Sequence, residues 1–454
     1  MAESTVRSEA LLEDIADYSH AVLAYVDESG YPVNVATDFE TDEQSGTIRL
    51  KRPAVPSEPG PDTEVNVTFS HIRPREGVGY DERRYVSVWG TITKANGSLE
   101  LQPRRTHGWD EDRMSFFELC ERSVPSAHIY MRKLSEEQGK PVKPSLSLGW
   151  LIFLSTRVPF LTATFVPILL GAVVARAHGF SAWWLFALAL LGGSAIHLGL
   201  NVTNDVFDST SGADTANVNP TMFSGGSRMI QYGLVSLKTM RVIAIGCYSV
   251  GIAIGLLLAA TRGWELLWIG AAGVFLSIFY TAPPFKLVHR GLGEICVALG
   301  FGPIMLMGTY FTIAQRWDWE AFYASLPVAI LIMLVLYVNQ IPDAPADAKV
   351  GKRTIVVRLS KNKIIAGYAL SIAATFGLIL VGALTDLLPN DTGIMPIWTL
   401  LALAPVPLGL KVLRGLKAHY ESPYELMATM GQNIQLHLAV GMLLIVGYVI
   451  AIFV

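Results

Sequence analysis

From about residue 148 to its end the chain repeats apolar stretches about as long as a bilayer is thick, and no other feature limits its fold so strongly. Roughly 20 apolar residues cross the hydrocarbon core as a helix, because in lipid each backbone N–H and C=O must find its partner within the segment. The stretches fall at 150–175, 181–206, 239–260, 264–283, 293–314, 321–341, 363–386, 393–411 and 432–453. They predict a multi-span, all-α membrane domain of about nine transmembrane helices over 148–454. Trp183, Trp184, Trp264, Trp268, Trp317, Trp319 and Trp398 lie near the predicted span ends, where an interfacial aromatic belt belongs. On one side the short connections carry Arg228, Lys238, Lys286, Arg290, Lys349, Lys352, Arg353, Lys361, Lys363, Lys411, Arg414 and Lys417; the other has little beyond Arg176, Arg262 and Arg316. This asymmetry predicts that the first side and the N-terminal region are cytoplasmic, and an odd number of spans then puts the C-terminus outside.

Charge is concentrated before about residue 145, although only 16% of the whole chain is charged. That region reads as a second folding unit, a small soluble β-barrel over 1–134. A short helix is predicted from Glu9 to Tyr18. Strand signatures follow at Ala21–Asp27, after the turn at Glu28–Gly30, and at Thr47, Glu64, Arg84 and Ser98, the last preceded by an Asn96-Gly97 turn. Helical segments are expected at Arg113–Arg122 and around Ile129, then a linker at 135–147 containing Gly139, Pro141 and Pro144. A formal charge of −3 and no long basic block argue against a nucleic-acid partner. Cys120, Cys247 and Cys296 are too scattered for a disulfide framework and read as packing residues. The polar, acidic opening lacks the pattern of a cleavable signal peptide.

Two acidic clusters carry the chemistry. In NVTNDVFD, Asn201, Asn204, Asp205 and Asp208 fall at i, i+3, i+4 and i+7, one face of a helix at the end of the second span, and Asp214 follows in STSGAD. In VNQIPDAPADAKVGKRT, Asn339, Asp343 and Asp347 are spaced i, i+4, i+8 at the end of the sixth span, with Pro342 and Pro345 ending or interrupting the helix. Carboxylates at the ends of membrane spans are costly and usually functional. Two such clusters on one membrane side suit a diphosphate held through Mg²⁺, since bare carboxylates would repel it. Counter-charge is available from Arg228 in SGGSRMI, Lys286 and Arg290 in KLVHR, and Lys352 and Arg353 in GKRT. For Lys352 and Arg353 topology alone is an equal explanation.

From about Gly149 onward the chain resembles the UbiA superfamily of intramembrane prenyltransferases, whose two Asp-rich motifs match NDVFDSTSGAD and NQIPDAPAD. SGGSRMIQYGL, YTAPPFKLVHRGLGE and GKRTIVVRL look most like the menaquinone-branch enzymes that prenylate 1,4-dihydroxy-2-naphthoate. The resemblance implies Mg²⁺-dependent transfer of a polyprenyl group from a prenyl diphosphate to an aromatic acceptor. It implies Asn204, Asp208, Asp214, Asp343 and Asp347 as ligands or organisers of the metal diphosphate, Asn201 and Asp205 beside them, and Arg157 near the cavity. Pro342 stands where many relatives carry Arg. Tyr280, Phe285, Tyr310 and Tyr337 are candidates to face an allylic cation. Other acceptors within the superfamily are 4-hydroxybenzoate, homogentisate and a glycerol-phosphate ether lipid. A reading of another class is a cation-coupled transporter, for which internal repeats and mid-bilayer charges would be expected. Residues 8–132 resemble, more loosely, the split-barrel flavin-binding fold of the pyridoxamine-phosphate-oxidase-like superfamily, on LAYVDESGYP and YVSVWGTIT. FMN or a deazaflavin held by Arg49, Lys51, His71 or Arg73 and a cofactor-free accessory barrel are both open readings.

Overall fold

In a computed structural model, residues 4–5, 8–42, 47–52, 59–60, 63–75, 79–95, 97–387 and 393–454 are described. The chain divides into two compact units, Met1–Ser123 and Val124–Val454.

The described residues of the first unit form an antiparallel sheet, the helix α1 (Ser8–Ile15) and the start of a later helix. Its strands are β1 (Ser4–Thr5), β2 (Ala21–Val26), β3 (Pro32–Thr37), β4 (Phe39–Asp42), β5 (Thr47–Lys51), β6 (Val65–Arg75), β7 (Gly79–Ala95) and β8 (Ser98–Asp110). The order is β3-β2-β6-β7-β8-β5-β4, with β1 on β8. Alternation along β2, β5 and β8 sends Leu23, Ile48, Leu50, Leu99 and Leu101 into one core with Ile15, Val67 and Phe69. The expected barrel is a half-barrel. Its terminal strands, β3 and β4, are consecutive in the chain and turn at Asp38, where Lys51 N donates to Asp38 O and Thr37 Oγ1 to Lys51 O, but no ladder joins them among the described residues. The Glu28–Gly30 turn forms as expected, with Asp27 Oδ1 accepting from the N–H of Ser29 and of Tyr31. Asn96 of the other predicted turn lies outside the described residues.

The two predicted helical segments after Arg113 are one helix, α2 (Phe116–Gln138), and the division between the units falls within it. Cys120 is exposed there, so it is not a packing residue; Cys296 is buried. Residues 141–147 have no regular structure.

The second unit is all-helical. Among the described residues seven segments are long and apolar enough to cross a membrane: Trp183–Ser211, Leu237–Arg262, Gly293–Ala314, Trp319–Asn339, Lys361–Leu387, Ile397–His419 and Pro423–Phe453. Two shorter apolar helices, Thr162–Ala177 and Glu265–Phe279, stand at the other expected spans. The first expected span is broken: α3 (Leu148–Ser155) and α4 (Thr162–Ala177) are separated by Arg157, which adopts φ 57, and by a 3-10 turn over Val158–Leu161. The break falls where Pro159, near the start of that turn, has no N–H to carry the α3 hydrogen-bond ladder onward. The helices continue as α5 (Trp183–Ser211), α6 (Ala213–Ala216), α7 (Leu237–Arg262), α8 (Glu265–Phe279) and α9 (Gly293–Leu299). A π turn at Gly300–Ile304, containing Pro303, joins α9 to α10 (Met305–Ala314). After these come α11 (Trp319–Asn339), α12 (Ala344–Lys349), α13 (Ile355–Arg358), α14 (Lys361–Leu384), α15 (Val406–His419) and α16 (Pro423–Phe453). Close approach between α5 and α7 rests on Gly192 and Gly251, since a Cβ at Gly251 would strike Ile196 and come within 3.1 Å of Gly192 O. The main core joins residues of α4, α10, α11, α14 and α16, including Leu170, Tyr310, Leu334, Tyr368 and Leu444.

Candidate functional site

The polar end of α5 supplies the first half of the site. Asn201, Asn204 and Asp208 face a cavity of about 170 Å³. Asn201 Nδ2 donates to Thr156 O at 3.1 Å and Asn204 Nδ2 to Asp208 Oδ2 at 3.0 Å. Asp205 lies behind them, buried, where its Oδ2 accepts from Ser227 N at 3.1 Å and its Oδ1 has no hydrogen-bond partner. Gly212 ends α5 in the left-handed region at φ 82, which turns the chain so that α6 carries Asp214 to the cavity lining. Buried Arg228 donates to Asp214 O, and Gln231 Nε2 reaches Asp214 Oδ2 at 3.3 Å.

The second half comes from the end of α11. The helix stops at Asn339, as Pro342 requires, so Asp343 and Asp347 are carried by the turn and by α12 instead of one continuous helix face. Asp343 is held by Asn217 Nδ2, which donates to Oδ1 at 2.8 Å, and by Gly225 N, which donates to Oδ2 at 3.1 Å. Lys352 joins the two motifs. Its Nζ lies 2.9 and 3.1 Å from the Asp208 oxygens and 3.4 Å from Asp347 Oδ1. Lys352 is thus a buried ion-pair partner of both motifs.

Burial pushes the Asp347 carboxyl up to about 7, against the pull of Lys352. Burial also raises Asp343 and Asp214, the latter further under the fields of Asp208 and Asp205. Burial would lower Lys352, but Asp208 and Asp347 outweigh it and hold the ammonium protonated. Five carboxylates, of Asp205, Asp208, Asp214, Asp343 and Asp347, meet three cations, of Arg157, Arg228 and Lys352. Crowding and burial oppose ionisation of these acids, and a divalent cation bound among them would favour their charged forms.

The residues fit such a cation at Gly226, where φ is +73. A Cβ there would lie 3.0 Å from Asp205 Oδ1 and 3.2 and 3.3 Å from the Asp214 oxygens. Only a glycine leaves that cradle open, and the unpartnered Asp205 Oδ1 faces it. An all-oxygen set of carboxylates is what Mg²⁺ prefers.

Beside the polar cavity lies an apolar one of about 610 Å³, between α5, α7, α8 and α10. The two share His197, Leu200, Tyr280, Val297 and Phe301 in their linings. His197 is fixed by Thr164 Oγ1 at 2.8 Å and by an edge contact with Phe301.

Of the sequence-derived candidates, Asn201, Asn204, Asp208, Asp214, Asp343, Asp347, Arg157, Lys352 and Tyr280 line the polar cavity. Asp205 and Arg228 stand immediately behind it. Lys286, Arg290 and Arg353 are exposed and outside its lining; they belong to the loop after α8 and to the turn before α13, and Arg290 donates to Pro284 O instead. Phe285 is exposed, Tyr310 hydrogen-bonds His178, and Tyr337 donates to Ile364 O, which leaves Tyr280 as the aromatic candidate at the junction. Arg157, Arg228 and Lys286 all have positive φ, 57, 59 and 44, a conformation that non-glycine residues adopt mainly where surrounding structure imposes it. Asn217, His197, Gln340 and Thr354 also line the cavity without having been singled out. Asn217, Gln340 and Thr354 had a signal, three residues beyond Asp214 in the same polar run and within the NQIPDAPAD and GKRT segments; His197 stands alone in an apolar stretch.

In the first unit, each basic residue considered for a flavin phosphate has a carboxylate partner. Arg49 pairs with Glu100 and Asp42, Lys51 with Asp38, and both His71 and Arg73 with Glu82.

A model of the UbiA prenyltransferase family matches residues 164–449, and the chain belongs to that family. It is 25% identical over 327 residues to the 1,4-dihydroxy-2-naphthoate octaprenyltransferase of Bacillus subtilis, covering 71% of this chain and 100% of the relative. To the enzyme of the same name from Mycobacterium tuberculosis it is 30% identical, covering 54% of this chain and 78% of the relative. A solved UbiA homolog from Archaeoglobus fulgidus, bound to DMAPP and Mg²⁺, aligns over 65% of this chain and 99% of its own at 15% identity and a TM-score of 0.45.

Proposed function

We propose that this membrane protein transfers a polyprenyl group from a prenyl diphosphate to an aromatic acceptor, 1,4-dihydroxy-2-naphthoate, with Mg²⁺ held by the two aspartate motifs. One observation carries the reading: Lys352 and Asn217 tie the two acidic motifs together at the mouth of a large apolar cavity. The names of the relatives support the naphthoate acceptor over 4-hydroxybenzoate, homogentisate or an ether lipid.

Asp205, Asp208, Asp214, Asp343 and Asp347 would hold the metal. Bound there, it supplies Lewis-acid neutralisation of the departing diphosphate. Arg157 and Lys352 add fixed positive charge at the same place. The apolar cavity takes the prenyl tail, so C1 of the prenyl chain sits at the junction near Tyr280 and Phe301. As the C1–O bond breaks, the Tyr280 ring faces the allylic cation and Phe160, Phe223 and Phe301 keep water from it. A ring carbon of the acceptor then bonds to C1, and the ring regains aromaticity by losing the carboxyl group at that carbon as CO₂.

The pocket end of the helices and the N-terminal domain, residues 1–134, face the cytoplasm in this reading, the linker 135–147 leads into the catalytic domain 148–454, and the C-terminus lies outside. The test is detergent-solubilised protein with Mg²⁺, geranylgeranyl diphosphate and each candidate acceptor separately, scored by mass spectrometry of the lipid extract. Prenylated product with dihydroxynaphthoate alone, abolished by EDTA, is expected; product only with another acceptor refutes the acceptor assignment, and no product with any refutes the transferase reading.

A further inference from the structure

A second polar cluster occupies the opposite end of α11 from the site just described. Asp318 caps that helix, its Oδ1 accepting from Glu320 N at 2.9 Å, which puts both carboxylates on the first turn. At 1.5 Å of rise per residue Glu320 stands roughly 28 Å from Asn339, so the two sites are independent. His178, the residue after α4, reaches Glu320 Oε2 with Nε2 at 2.8 Å, while its Nδ1 lies 2.7 Å from Tyr310 OH of α10 and 3.8 Å from Asp318 Oδ2. Ligand-capable atoms of His178, Asp318 and Glu320 all fall within 4.8 Å of one another. Arg316 contributes local positive charge, 3.7 Å from Asp318 Oδ2, and donates to Tyr310 OH at 3.3 Å.

Another observation comes from α16. Tyr448 is fully buried with its hydroxyl beside Glu320 and Asp318, yet it makes no hydrogen bond of normal geometry to either carboxylate. Buried hydroxyls are well paired in nearly all native structures, so one held beside two carboxylates without a hydrogen bond of normal geometry calls for a further group between them.

We propose that His178, Asp318 and Glu320 form a binding site for a divalent cation of the Zn²⁺ class, with a metal-bound water placed against the Tyr448 hydroxyl. One imidazole nitrogen with two carboxylate oxygens is a donor set that Zn²⁺ and its neighbours accept, whereas Mg²⁺ prefers oxygen alone. The Tyr310 hydroxyl on Nδ1 fixes the His178 ring, as a partner on the non-ligating nitrogen does in metal sites. An ion there ties α4, α11 and α16 at the end of the bundle remote from the prenyl pocket.

Full-length protein in detergent, with any affinity tag removed and metals stripped by a chelator, is titrated with Co²⁺ in excess Mg²⁺, which occupies the all-oxygen site. A visible d–d band saturating at one equivalent and displaced by Zn²⁺ is expected. Affinity falls by about 100-fold or more in His178→Ala and by roughly 10-fold in Tyr448→Phe, and is unchanged in Asp208→Asn. Glu320→Gln keeps the shape of the side chain and replaces His178→Ala if that variant does not purify. Absence of a saturable band, a band that survives His178→Ala or Glu320→Gln, or one that vanishes with Asp208→Asn overturns the proposal.

Discussion

Gly226→Ala isolates the cradle between the two halves of the first motif. The added methyl costs the backbone first, because Gly226 has φ +73 and an L-residue there loses about 1–2 kcal/mol. It also meets Asp205 Oδ1 at 3.0 Å and the Asp214 oxygens at 3.2 and 3.3 Å, so one or both carboxylates must retreat by a few tenths of an ångström and the point they share is filled. Gly179→Ala is the matched control: φ is +88, but nothing lies within 4 Å of the new Cβ. Both variants should lose a similar few degrees of thermal stability in detergent, roughly 2–4 °C per kcal/mol for a domain of this size. Only Gly226→Ala should lose prenyl transfer, on the order of 10²-fold, together with a rise in the Mg²⁺ concentration giving half-maximal rate. The assay is product formation by mass spectrometry across a Mg²⁺ titration. If Gly226→Ala keeps a rate and Mg²⁺ requirement within about threefold of wild type, carboxylates at this point do not hold the metal.

Lys352→Met removes the ammonium shared by Asp208 and Asp347; metal-free protein should lose about 3–5 kcal/mol, and excess Mg²⁺ should restore part of it, so an equal melting deficit with and without Mg²⁺ refutes the shared counter-charge. The Asp347 carboxyl is raised to about 7 in the folded protein, so its contribution to stability is present in acid and is lost as pH rises from about 4 through about 7. Metal-free protein should therefore melt lower at pH 8 than at pH 5 and Mg²⁺ should flatten the difference, whereas a melting temperature that rises over this window counts against the assignment. Gly255→Phe puts a ring into open space in the lining of the apolar cavity, where the glycine has no neighbour within 4 Å; in competition between long and short prenyl diphosphates the variant should shift toward the shorter product, and unchanged selectivity means the tail lies elsewhere.

Much of this protein is legible along the chain because the bilayer imposes its own rule. A membrane segment must pair its backbone internally, so hydropathy alone announces helices; among the described residues seven of the nine expected stretches fall on helices long enough to cross and the other two on shorter apolar helices. Local spacing was equally informative at Asn201, Asn204 and Asp208, which lie within one helix whose geometry the sequence already contains. It failed where proline and a left-handed arginine break the first span at Arg157, and where Pro342 hands Asp343 and Asp347 from α11 to the turn and α12.

The membrane domain, the two acidic motifs and the family they resemble were legible in the order of residues alone. Partnership across long separations was decided only by the fold. Nothing in the order of residues says that Lys352 rather than Lys286, Arg290 or Arg353 becomes the buried cation, or that Asn217 grips Asp343. Those choices depend on which helix ends meet in space, and an ion pair or hydrogen bond forms only between groups a few ångströms apart. For the same reason His178, the Asp318–Glu320 pair and Tyr448, far apart in the chain, come together only when α4, α11 and α16 pack.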